Sequence, residues 1–71
     1  MSNHTLFNIF SNKSVNKAFR IIDKNVNSEH IFMYDSYEVI DEVEYINVVN
    51  TVTGKLIKFD RKSDPIVKLI N

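Results

Sequence analysis

His30 is the side chain best suited to moving a proton at neutral pH, and its neighbours argue against that role. Glu29 precedes it and Asp35 follows five positions later. On an extended chain Glu29 and His30 point to opposite faces, so adjacency does not make an orienting carboxylate and a base. The expectation is a surface or strand-edge histidine. The six serines lie in no G-x-S-x-G elbow and none sits near a histidine in a motif. Paired carboxylates are plentiful, but 71 residues leave little volume for a cleft that raises the pKa of one of them. A non-enzymatic protein is expected.

Metal and phosphate chemistry fare no better. The chain has no Cys, and His4 and His30 form no His-x-x-x-His pair. Residues 35–44 are rich in carboxylates yet lack the Gly and the regular ligand alternation of a calcium loop. Thr53-Gly54-Lys55 has no second Gly and no following helix, so it does not cradle phosphate. No cofactor and no bound metal are expected.

What remains is charge, and it is sorted into blocks. Residues 1–28 carry Lys13, Lys17, Arg20 and Lys24 against Asp23. Residues 29–45 carry Glu29, Asp35, Glu38, Asp41, Glu42 and Glu44 with no Lys or Arg. Residues 46–71 carry Lys55, Lys58, Arg61, Lys62 and Lys68 against Asp60 and Asp64. The net charge of zero is therefore a cancellation, and a folded surface can still have an acidic and a basic side.

Two candidate surfaces follow. Tyr34, Tyr37 and Tyr45 lie among Asp35, Glu38, Asp41, Glu42 and Glu44. If residues 37–43 are extended, carboxylates at alternate positions leave one face about 6–7 Å apart. With tyrosine as a rigid anchor, such a face suits the basic groove of a nucleic-acid-binding protein. The bland explanation is a solvated strand face, charged against edge-to-edge aggregation. In the rival surface, Lys55, Lys58, Arg61 and Lys62 flank Phe59, which combines phosphate contacts with a base-stacking ring. A near-neutral pI and only two Arg weigh against it, and Phe59, alternating with Ile57, suits a core. Opposite patches also invite self-association, or they neutralise each other within one molecule, with residues 37–43 beside Lys55 and Lys58.

The expected function is a protein-binding module with a partner of basic surface, such as an inhibitor or modulator of a host protein. The alternatives are a small nucleic-acid-binding domain using the basic hairpin and a self-associating structural protein. Nine Asn, nine Ile and seven Lys fit an AT-rich source such as a phage or mobile element.

The elements that must position these residues belong to one domain spanning 1–71, with a thin core. Nine Ile and eight Val against three Leu favour sheet. No disulfide is available, no apolar run approaches a membrane span, and residues 1–10 lack a signal peptide's basic start. A soluble cytoplasmic protein is expected.

Leu6, Phe7, Ile9 and Phe10 form an apolar patch ahead of Ser11-Asn12-Lys13-Ser14. Val15, Ala18, Phe19 and Ile22, spaced i, i+3, i+4, i+7, predict a helix capped by Ser11, Asn12 or Ser14. A strand over 17–23 is the competing reading, because Phe19-Arg20-Ile21 also alternates. His30 to Tyr34 predicts a buried strand, Asp35-Ser36 a turn or bulge, and residues 43–52 the longest strand. Thr53-Gly54 marks a hairpin into Lys55–Phe59, and Pro65 opens either a last edge strand or a short helix. The expected fold is α+β: an N-terminal helix on an antiparallel sheet of four to five strands, with a small SH3-like or Sm-like half-open barrel as the alternative.

Overall fold

The structure is a computed structural model, and it describes residues 4–10 and 18–70. Strand β1 (His4–Thr5) leads directly into a short helix α1 (Leu6–Phe10). Strands β2 (Ala18–Ile22), β3 (Phe32–Ile40), β4 (Val43–Asn50) and β5 (Leu56–Asp60) follow. A 3-10 turn at Arg61–Ser63 then leads to β6 (Ile66–Leu69). All six strands form one antiparallel sheet in the order β1-β6-β2-β3-β4-β5.

This corrects the expected fold. Among the described residues the protein is mostly sheet, with six strands instead of four or five and a five-residue helix at Leu6–Phe10 instead of the helix expected over residues 15–22. The helix predicted over Val15, Ala18, Phe19 and Ile22 is overturned where it is described, because Ala18–Ile22 is β2. Residues 11–17, including the proposed caps, lie outside the described residues.

The physical reason is the competition between two periods. The helical stripe requires Phe19 and Ile22 on one side, whereas the strand buries Phe19 and Ile21 and turns Arg20 and Ile22 outward. β6 supplies four paired positions, Phe19↔Leu69 to Ile22↔Ile66, and β-branched Ile21 and Ile22 fit them. The same pairing corrects the C-terminus: β6 is a strand but not an edge strand, lying between β1 and β2.

The core occupies the face that α1 covers. Phe19, Ile21, Phe32, Ile46, Val48, Phe59 and Val67 project into it from the strands, and Leu6 and Phe7 close it from the helix. Phe10 packs edge-on against Phe19, with ring centroids 5.5 Å apart. Residues 64 and 65 fix the helix start: Leu6 N donates to Pro65 O at 2.9 Å, and Phe7 N donates to Asp64 Oδ1 at 2.8 Å. Those bonds satisfy amides that a helix start leaves without partners.

One bulge and two turns shape the hairpins. A register shift between Tyr34 and Ser36 makes the expected interruption at Asp35-Ser36 a bulge within one continuous strand. Gly54, at φ 80, provides the positive dihedral of the β4–β5 loop. The β3–β4 loop is only Asp41 and Glu42, at φ 52 and φ 67. Two positive dihedrals in a two-residue loop match a type I′ turn, usually formed by Asn-Gly.

Candidate functional site

The acidic segment is not one face. Within the sheet, directly opposed residues share a face, so the registers assign each side chain. Glu38, Tyr45, Asn47 and Lys58 lie on the outer face, opposite the core. Tyr34, Tyr37 and Glu44 are on the core side, and Asp41 and Glu42 form the turn. The expected row of carboxylates along residues 37–43 is therefore corrected, because the strand ends at Ile40.

Two of the acids are already held in ion pairs, and Asp35 Oδ2 accepts from Ser36 Oγ at 3.1 Å. Glu38 Oε2 lies 2.9 Å from Lys58 Nζ and accepts a 2.9 Å hydrogen bond from Asn47 Nδ2. The Asn47 bond first, then Lys58, holds the Glu38 carboxyl below its ordinary pKa. Lys58 also lies over the Tyr45 ring, 5.2 Å from its centroid. Glu44 Oε1 lies 3.0 Å from Arg61 Nη1, and Arg61 stacks over Phe7 at 5.3 Å. Both ion pairs are partly open to solvent, which screens them, so each contributes little to stability. The two charge blocks thus partly neutralise each other within one molecule.

The tyrosines divide similarly. Tyr34 packs against the core, its ring 4.8 Å from that of Phe10. Tyr45 is half-buried under Lys58, while Tyr37 is exposed. Desolvation first, then the Glu44 carboxylate, raises the Tyr37 phenol above its ordinary pKa.

The basic arm is broken up in the same way. Phe59 is buried at 8% exposure and paired with Ile46, so its ring is part of the core. Lys58 and Arg61 hold the two glutamates, and Lys55 and Lys62 are exposed without an ion pair among the described residues. A row of cations around a free aromatic is not formed.

His30 is half-buried and belongs to a different cluster. Its Nδ1 lies 2.9 Å from Asn50 Nδ2, and its Nε2 lies 3.3 Å from Asn27 Nδ2. Asn50 Oδ1 accepts from Val52 N at 2.8 Å and Thr53 N at 3.2 Å, which fixes its amide orientation. His30 Nδ1 is then the acceptor in the shorter contact. The cluster ties the 27–30 loop to the end of β4. Among the described residues no group of three or more His, Asp or Glu side chains is arranged to hold a metal ion. No described helix is long and apolar enough to cross a membrane.

The structure adds residues that charge analysis missed. β5 ends opposite Tyr45 and β2 reaches only Met33, so the pairs Val39↔Glu44 and Ile40↔Val43 have no third strand beside them among the described residues. This end of the β3–β4 hairpin is a two-stranded ribbon leaving the sheet. Tyr37, Val39, Ile40 and Val43 are exposed at 51%, 54%, 42% and 38% around Asp41 and Glu42. The signal in the sequence is Val39-Ile40: two adjacent apolar residues beside an acidic turn give an apolar side chain on each face.

Comparison with protein-family models, curated proteins and solved structures finds no match.

Proposed function

We propose that the protein is a non-enzymatic protein-binding module whose contact element is the outer end of the β3–β4 hairpin. One observation carries the reading: a two-stranded ribbon leaves the sheet with Val39, Ile40 and Val43 exposed around Asp41 and Glu42, neither ion-paired among the described residues, and with exposed Tyr37 at its base. Exposed apolar side chains rimmed by charge are a common form of protein-binding site, and here Val39 lies on one face of the ribbon and Ile40 with Val43 on the other, so a partner would grip both faces of the tip. The partner presents an apolar groove with a basic rim, a surface typical of nucleic-acid-binding proteins, and binding there modulates or inhibits that partner.

The turn supports the same reading. Asp41 and Glu42 are the only non-glycine residues with positive φ among the described residues. A left-handed conformation costs about 1–2 kcal/mol for an L-residue, and Asn-Gly would relieve much of it. Carboxylates at such positions with no ion pair among the described residues are accounted for by contact with a partner.

The test is affinity capture from lysate of the source cell, with nuclease present, using three tagged proteins. They are the parent, a tip variant carrying Asp41→Lys and Glu42→Lys, and an arm variant carrying Lys55→Glu and Lys62→Glu. The expected result is a near-stoichiometric protein held by the parent and the arm variant and lost by the folded tip variant. Equal capture by the tip variant, or loss only in the arm variant, would refute the reading.

A further inference from the structure

The outer face of β2 and β6 carries a second, separate surface. Arg20 of β2 is directly opposed to Lys68 of β6, and both are exposed. Neither forms an ion pair among the described residues. Like charges directly opposed across strands are destabilising, so the pair is costly to the isolated fold. Next to it, Ile22 is directly opposed to Ile66, exposed at 49% and 41%. On the other side, Ala18, Met33, Val49 and Leu56 are directly opposed in turn across four strands, and Leu56 is 60% exposed. Two cations thus lie between apolar rows, with no aromatic ring directly opposed to either among the described residues.

This pattern defines its occupant. A nucleic acid would be served by stacking rings, which these rows do not provide. An extended segment with apolar side chains beside two carboxylates complements them directly. The β3–β4 hairpin end, with Val39, Ile40, Asp41, Glu42 and Val43, is such a segment, exposed and without a third strand among the described residues. We infer that the protein self-associates by seating the hairpin tip of one copy on the Arg20/Lys68 face of another, with Asp41 and Glu42 opposite the two cations. The inference rests on the hairpin being a contact element and names a second copy as one partner for it. The contact joins two different patches, so the assembly closes as a ring, a reciprocal dimer or a chain according to the angle between them.

Charge swapping tests the contact by sedimentation velocity over about 10–500 µM, a range bracketing micromolar to millimolar affinity. The parent should sediment faster as concentration rises, and this should weaken as salt goes from about 0.05 to 0.5 M. A face variant with Arg20→Glu and Lys68→Glu, and the tip variant with Asp41→Lys and Glu42→Lys, should each associate at least about ten-fold more weakly. Mixed together, the two variants should associate again, because every tip then meets a face of opposite charge. Circular dichroism matching the parent excludes unfolding as the cause of loss.

A parent that stays monomeric over the whole range overturns the inference, as does a mixture that fails to recover. If it is monomeric while tip-dependent capture of another protein persists, only the second-copy assignment falls. If self-association occurs and neither variant weakens it, the hairpin contact is wrong as well.

Discussion

Replacing the β3–β4 turn by Asn-Gly should strengthen the fold while weakening binding. Asp41 and Glu42 sit at φ 52 and φ 67 in a two-residue loop closed by Ile40↔Val43. For Glu42, a left-handed backbone costs about 1–2 kcal/mol, and glycine relieves it. Against that, glycine gives the unfolded chain more freedom, worth about 0.4–1 kcal/mol. Asp41→Asn adds a smaller gain, because both residues tolerate positive φ and asparagine is favoured there. The balance is about 1 kcal/mol of added stability, or about 4–8 °C in Tm for a domain of this size. No ion pair involving Asp41 or Glu42 among the described residues offsets this gain. Thermal unfolding of the parent and of the Asp41→Asn, Glu42→Gly variant measures it, and the capture assay measures the expected loss of partner. An unchanged or lower Tm would refute the argument that the tip is strained and that its carboxylates do not support the fold.

Three further outcomes are expected. Asn50→Ala removes the acceptor of two loop amides and the His30 contact from a buried position, and should cost about 2–3 kcal/mol in urea unfolding, discounted because exposed Val52 and Thr53 can bond water. Gly54→Ala should lose about 1 kcal/mol through its positive φ alone, since nothing lies within 4 Å of the added Cβ; a stabilised variant would contradict the loop geometry. Glu38 and Asp60 both titrate below their ordinary values of 4.5 and 3.8, the first through Asn47 and then Lys58, the second through Ser63. Protonation therefore favours the unfolded chain, so their stabilisation is present above those values and is lost as pH falls through the lower folded ones. Urea midpoints from neutral to acidic pH should decline there, and Glu38→Gln should flatten the decline.

Much of the sheet was legible because its signals are local. Thr53-Gly54 marks a loop that glycine alone makes easy, and Phe59 alternates with Ile57 as a core residue should. The segment at Ala18–Ile22 was ambiguous because Phe19 suits either period. Its strand pairing depends on β6, far away in sequence, and so overrides a local helical spacing. The fate of the charge blocks was not legible for a related reason. Glu38 meets Lys58 across β4, and Glu44 meets Arg61 beyond the end of β5, pairings fixed by sheet order. Strand order likewise brings Arg20 opposite Lys68 and leaves the 39–43 ribbon without a third strand among the described residues.

The central claim is that partners are held by the hairpin tip, and site-specific photo-crosslinking tests it most directly. A photoreactive residue replaces Val39 in the ribbon or, in a second protein, Val52 in the exposed β4–β5 loop. Illumination in source-cell lysate should give a discrete covalent adduct from position 39 and none from position 52. An adduct from position 52 alone, or none from position 39, would contradict the account.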